Sequence, residues 1–304
     1  MPHLLSPRRR WPGREATALC FSTDGERFAG AIRREVVLTD TEAVEEDPGT
    51  RIELPGPVFS LSWSADGVLA APYRLSAEGD VMTAASGGWD GSYRTEAAAF
   101  SPDGEVAILA GRFQPARGIP ARPETAEPAS RVACWTADRV VQLSAGATVG
   151  SVVVAAGHSF LAFADTQARL VLRQDLVVTS LDSAPGDSSV RAMAFDAGED
   201  RLAAAFADGS VTIWSTATGG VAGRWPAHQG DIGALTWVGE RLVSGGEDGT
   251  VRLWAADGES LATSEPREFQ PIAALAVHPG GSLLRASVGG PRAELLEFEL
   301  AVRE

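Results

Sequence analysis

The sequence contains no lysine and no asparagine, and all 26 of its basic residues are arginine. Without lysine there is no side chain for Schiff-base chemistry, and without asparagine there is no acceptor for N-glycosylation. Cysteine is scarce. Cys20 and Cys134 both fall in apolar runs without metal-ligand spacing, which assigns them to the core. No run reaches the roughly eighteen apolar residues that a membrane-spanning helix needs. The opening MPHLLSPRRRWPGRE puts its arginines after the apolar pair Leu4-Leu5, the reverse of a secretory signal. These absences together lead to the expectation of a cytoplasmic protein. The HExxH, GxSxG, P-loop and CxxC patterns are also missing, so no common catalytic or metal-binding signature is present.

Hydrophobic residues make up 44% and charged residues 22%, as in globular proteins, which argues against wholesale disorder. The net charge of -14 opposes nucleic-acid binding, because phosphate contacts need a concentrated positive surface. Abundant Ala, Gly and Arg point to a GC-rich genome and hence a bacterial source. At 304 residues the chain is long enough for one large domain or two ordinary ones.

The stretch Trp225 to Trp254, WPAHQGDIGALTWVGERLVSGGEDGTVRLW, is written as three short apolar runs, the last two separated by Asp248-Gly249. Asp-Gly between alternating runs is a hairpin signal, because Gly tolerates positive φ and Asp bonds its own turn backbone. Similar first runs end at Phe21, Trp63, Phe100, Val154, Phe195, Trp237 and Val277, at spacings of 42, 37, 54, 41, 42 and 40 residues. Turns follow them, as in Ser22-Thr23-Asp24-Gly25, Ser64-Ala65-Asp66-Gly67, Ser101-Pro102-Asp103-Gly104 and His278-Pro279-Gly280-Gly281. A period near forty with several short strands per unit is that of a propeller.

With His228, Ser244, Asp248-Gly249 and a third strand VRLW ending at Trp254, this unit resembles a WD-repeat blade. The resemblance implies a buried structural tetrad of His228, Ser244, Asp248 and Trp254. The same residue types also permit a catalytic triad, in which Asp orients His and His activates Ser. A mid-strand Ser244 should be buried, however, and a nucleophile must be exposed, so the structural role is expected. Other units diverge. Trp135, Trp214 and Trp254 are followed by Thr136, Ser215 and Ala255 rather than the family's Asp, and unit five has Ala204 where the tetrad has a hydroxyl. The only Trp-Asp pair, Trp89-Asp90, lies in a Gly-rich stretch read as loop.

The resulting expectation is an all-β, seven-bladed β-propeller of four-stranded antiparallel blades, a single domain over 1–304. Unit seven ends after three strands, so residues 2–11 are expected to supply its outer strand, as N-terminal segments do in the family. Residues 112–131 are expected to form an inserted loop in the third blade, with four prolines and no apolar period.

The resemblance implies that loops joining second to third strands, and those entering first strands, share one face, called the top. Arg33, Arg34, Arg74, Arg94, Arg112, Arg117 and Arg122 are placed in top loops of blades one to three, beside Trp89 and Tyr93. Arginine and aromatic residues are the composition of binding hot spots, and a positive patch on an acidic protein would select an acidic segment. The acidic run Glu42, Glu45, Glu46 and Asp47 maps to the other face as a solvated loop. The function expected is a non-catalytic scaffold, monomeric by itself, binding another protein with no cofactor, metal, nucleic acid or membrane. The alternatives are a propeller enzyme with a channel-mouth site, such as a metal-dependent hydrolase, or an accessory subunit of a larger bacterial assembly.

Overall fold

The computed structural model describes residues 3–12, 16–42, 49–64, 67–76, 79–84, 93–113, 130–136, 140–146, 153–164, 168–172, 177–181 and 188–300. Each repeat forms one sheet whose first strand is innermost. These innermost strands are Ala18–Phe21, Ser60–Ser64, Tyr93–Phe100, Val153–Ala156, Val190–Phe195, Ile232–Val238 and Ile272–Val277, and they define blades one to seven. Each innermost strand adjoins the next in chain order, and that of blade seven returns to that of blade one, which closes a ring. Among the described residues no helix is long and apolar enough to cross a membrane.

The expectation of seven four-stranded antiparallel blades is corrected by the sheet topology. Six sheets have four strands and antiparallel pairing, but the sheet of blade six has five strands and ends in a parallel pair. The reason lies in the N-terminal segment, which divides between two sheets. Pro7–Pro12 runs antiparallel to Glu294–Glu299 as the outer strand of blade seven, with Trp11 opposite Leu295. Before it, His3–Leu5 pairs in parallel with Ser260–Ser264 of blade six.

Second strands face a neighbouring blade on both sides, which calls for uninterrupted apolar runs of small side chains. Leu202, Ala203, Ala204, Ala205 and Phe206 of blade five are all 0% exposed. An apolar cluster fills each gap between neighbouring sheets, such as Val243, Val251, Ile272, Leu284 and Phe298 between blades six and seven. The first turns follow from their residue types. Ser22 donates to Asp24 at 2.5 Å, Asp24 accepts the Glu26 amide at 2.9 Å, and Gly25 sits at φ 77°. Ser101, Asp103 and Gly104 repeat this geometry.

The seam between blades seven and one holds a buried ion pair. Arg285 donates through Nε to Glu297 at 3.0 Å and through Nη2 to the Thr41 carbonyl at 2.5 Å. Its guanidinium lies 4.9, 5.2 and 4.5 Å from the ring centroids of Trp11, Phe21 and Phe28. Burial presses Arg285 below its ordinary value, and the Glu297 carboxylate opposes that. Arg9 of the N-terminal strand reaches Glu297 at 3.7 Å and Glu42 of blade one at 3.2 Å, so the seam is tied from three sides.

Candidate functional site

In blade six the hairpin turn at Asp248-Gly249 sets Asp248 beside the loop that carries His228. The His228 Nδ1 lies 2.9 Å from Asp248 Oδ1, and its Nε2 lies 2.7 Å from Ser244 Oγ. Trp254 Nε1 donates to the same Ser244 hydroxyl at 2.9 Å. Satisfying every group in this chain makes Trp254 donate to Ser244, Ser244 to His228 and His228 to Asp248. The distances would suit a triad, yet Ser244 is 0% exposed and its oxygen is occupied by Trp254. No substrate carbonyl can reach it, so this arrangement is a satisfied core network.

Two further residues belong to the network and went unread in the sequence. Thr250 donates to Asp248 Oδ1 from its hydroxyl at 2.7 Å and from its amide at 3.1 Å. Arg252 donates to Asp248 Oδ2 at 3.2 Å. Burial works against the charge on Asp248, yet hydrogen bonds from His228 and Thr250 and the attraction of the ring hold its carboxyl well below the usual carboxylate range. Blade five shows the signal that could have revealed Thr250. Its turn repeats Asp208-Gly209 with Ser210, whose hydroxyl and amide both donate to Asp208 at 2.6 and 2.9 Å. Blade five is also tied to the tetrad, since the His228 amide donates to the Gly209 carbonyl at 2.9 Å. Gly209 at φ 80° has no Cβ to collide with that chain.

On the top face the expected arginine group is only partly assembled. Arg33 and Arg34 form the exposed turn between Arg27–Ile32 and Glu35–Asp40, with Arg33 at φ 55°. Arg34 pairs with Glu53 at 3.0 Å and Arg51 with Glu35 at 2.5 Å, so carboxylates are interleaved with the cations. Arg74 is not in a loop: a one-residue turn at Pro72 places it in Tyr73–Ser76, half-buried, with its guanidinium 5.4 Å from the Phe100 ring centroid. Tyr93 and Arg94 begin the innermost strand of blade three, and Arg112 lies in the second strand, Ala107–Phe113. There Arg94 is registered opposite Arg112. Trp89, Arg117 and Arg122 lie outside the described residues, as do Asp90, Glu45, Glu46, Asp47 and most of the 112–131 insertion.

Residues 160–240 match the family model described as the anaphase-promoting complex subunit 4 WD40 domain. The telomerase protein component 1 of Rattus norvegicus is 36% identical over 90 residues, which are 27% of this chain and 3% of that protein. WD repeat-containing protein 90 of Homo sapiens is 44% identical over 52 residues, 17% of this chain and again 3% of that protein. The chain therefore spans a small part of these curated relatives, and because they are mammalian they lend no support to a bacterial source. A solved structure titled "Structure of U3-55K" superimposes with a TM-score of 0.75 at 14% identity, covering 97% of this chain and 100% of that one, and shows the fold. The closed ring of sheets, the His228 tetrad and these matches together support a WD40 β-propeller.

Proposed function

We propose that this chain is a non-catalytic interaction scaffold that holds an acidic segment of a partner protein on the top loops of blades one to three. One observation carries the non-catalytic reading: the His-Ser-Asp constellation that a hydrolase would expose is sealed by Trp254, with Ser244 0% exposed. The exposed Arg33 and Arg34 turn supports the choice of face, and the net charge of -14 supports a protein partner over nucleic acid. The reading includes a monomeric propeller working in the cytoplasm, with Cys20 and Cys134 outside any disulfide. It also extends to a subunit of a larger assembly, a role consistent with a relative whose printed name is a telomerase protein component.

Charge reversal at Arg33, Arg34 and Arg117 should abolish partner capture in a pull-down while leaving the melting temperature unchanged, because exposed arginines add little to stability. Reversal of Glu259, exposed in the turn between the third and fourth strands of blade six, serves as the control. Loss of capture in the control, with retention in the arginine variant, would move the site to the other face.

A further inference from the structure

The top of blade seven carries a second cationic feature outside the blades considered above. Arg10, Arg267, Gln270, Arg292 and Glu294 line one open pocket. Arg267 is paired with Glu294 within it, and both side chains are largely covered. Arg10 and Arg292 are exposed and have no carboxylate partner among the described residues, on a chain whose net charge is -14. Gln270 donates to the Arg292 carbonyl at 2.9 Å, which ties the loop into blade seven to the loop carrying Arg292.

Next in the chain to Gln270 of this pocket stands Phe269, 87% exposed and at φ 58°. A bulky side chain in the left-handed region is a conformational outlier, retained where the surroundings dictate it. They do so here. Gly289 donates to the Pro271 carbonyl at 2.9 Å, and the missing side chain of Gly290 admits the Phe269 carbonyl. The backbone is thus clamped while the ring is held out in water. An isolated exposed phenylalanine is unremarkable. This one is fixed by its backbone, and its chain neighbour Gln270 lines the same pocket as Arg10 and Arg292; aromatic anchors and arginines together are the composition of binding hot spots.

We propose that this surface docks an acidic segment of a partner protein, with its carboxylates on Arg10 and Arg292 and an apolar side chain of the segment on Phe269. Carboxylates fit better than a phosphate backbone. Glu294 and the overall charge oppose a polyanion, whereas the fork of each guanidinium takes a single carboxylate in two parallel bonds.

The proposal rests on the scaffold reading, and a random peptide library selected on the immobilised full chain separates the two. The selected peptides should carry Asp or Glu next to an apolar residue. Their affinity should fall by roughly tenfold or more for Arg10→Gln/Arg292→Gln, since charge-assisted bonds are lost, and also for Phe269→Ser. Melting temperatures should be unchanged, and Glu259→Arg should bind as the wild type does. Acidic peptides that bind the double variant undiminished would overturn the site alone. Failure to select any peptide would overturn the scaffold reading with it. A selected pool displaced by a single-stranded oligonucleotide, and not by free acidic peptide, would give the surface to nucleic acid and also overturn the proposal.

Discussion

Blade six and the seam between blades seven and one each bury a polar network. They differ in reach. The tetrad is local, with all its members between His228 and Trp254 in one repeat and its side-chain hydrogen bonds running inside one sheet and its entry loop. The seam draws Arg9 and Trp11 from the N-terminal strand, Thr41 from blade one, and Arg285 and Glu297 from blade seven. A local network stabilises its own blade. A long-range one makes the ring depend on both of its ends at once, and it does so with a formal ion pair whose desolvation must be offset.

Removing residues 1–12 tests that distinction most severely. It takes away two strands, Trp11 from the guanidinium of Arg285, and Arg9 from Glu297. The truncated chain should lose more stability than any single substitution and should self-associate through the bare edge at Glu294–Glu299. Light scattering and calorimetry would read both, and an unchanged monomer would show that the seam does not depend on this strand.

Next in size is Glu297→Ala, which leaves Arg285 buried at 3% exposure without its carboxylate. The expected loss is about 3–5 kcal/mol by chemical denaturation. Asp248→Ala, which removes a partly exposed carboxylate and leaves hydrogen-bond donors unsatisfied, should cost about 1–3 kcal/mol. If the order is reversed, the local network is the stronger of the two and the comparison fails.

The smallest effect is one of pH. Because the folded carboxyl of Asp248 lies below its unfolded value, its contribution is complete above the ordinary carboxylate range and is lost as pH falls through the folded value. Denaturation midpoints in acid should therefore fall less steeply for Asp248→Asn than for the wild type. Parallel curves would mean that Asp248 is not held by this network.

The same contrast explains what could be read from the sequence. The tetrad was legible because spacing and residue type specify it within one repeat, and the Ser-Asp-Gly turns were legible for the same reason. Arg285 and Glu297 sit in ordinary positions of two strands, and nothing in either strand announces a partner that the ring brings from the far side of the chain. Arg74 lies in a strand because the turn before it is the single residue Pro72. Arg94 and Arg112, with Tyr93 beside them, lie in strands and not in loops because the strands of blade three extend further than their apolar cores suggest. Phe269 gave no signal, since a left-handed phenylalanine is imposed by Gly290 and Gln270 and not by its own preference.

The pairing of Trp11 with Leu295 also has a consequence during synthesis on the ribosome. At about 5–20 residues per second, the strand Pro7–Pro12 waits roughly 15–60 seconds for its partner Glu294–Glu299 to emerge. Until then the leading segment has only unfinished sheets beside it. The nascent chain is therefore committed to an open ring from the synthesis of Trp11 until Leu295 has emerged, and closure is the event that ends its exposure to misassembly with neighbouring copies.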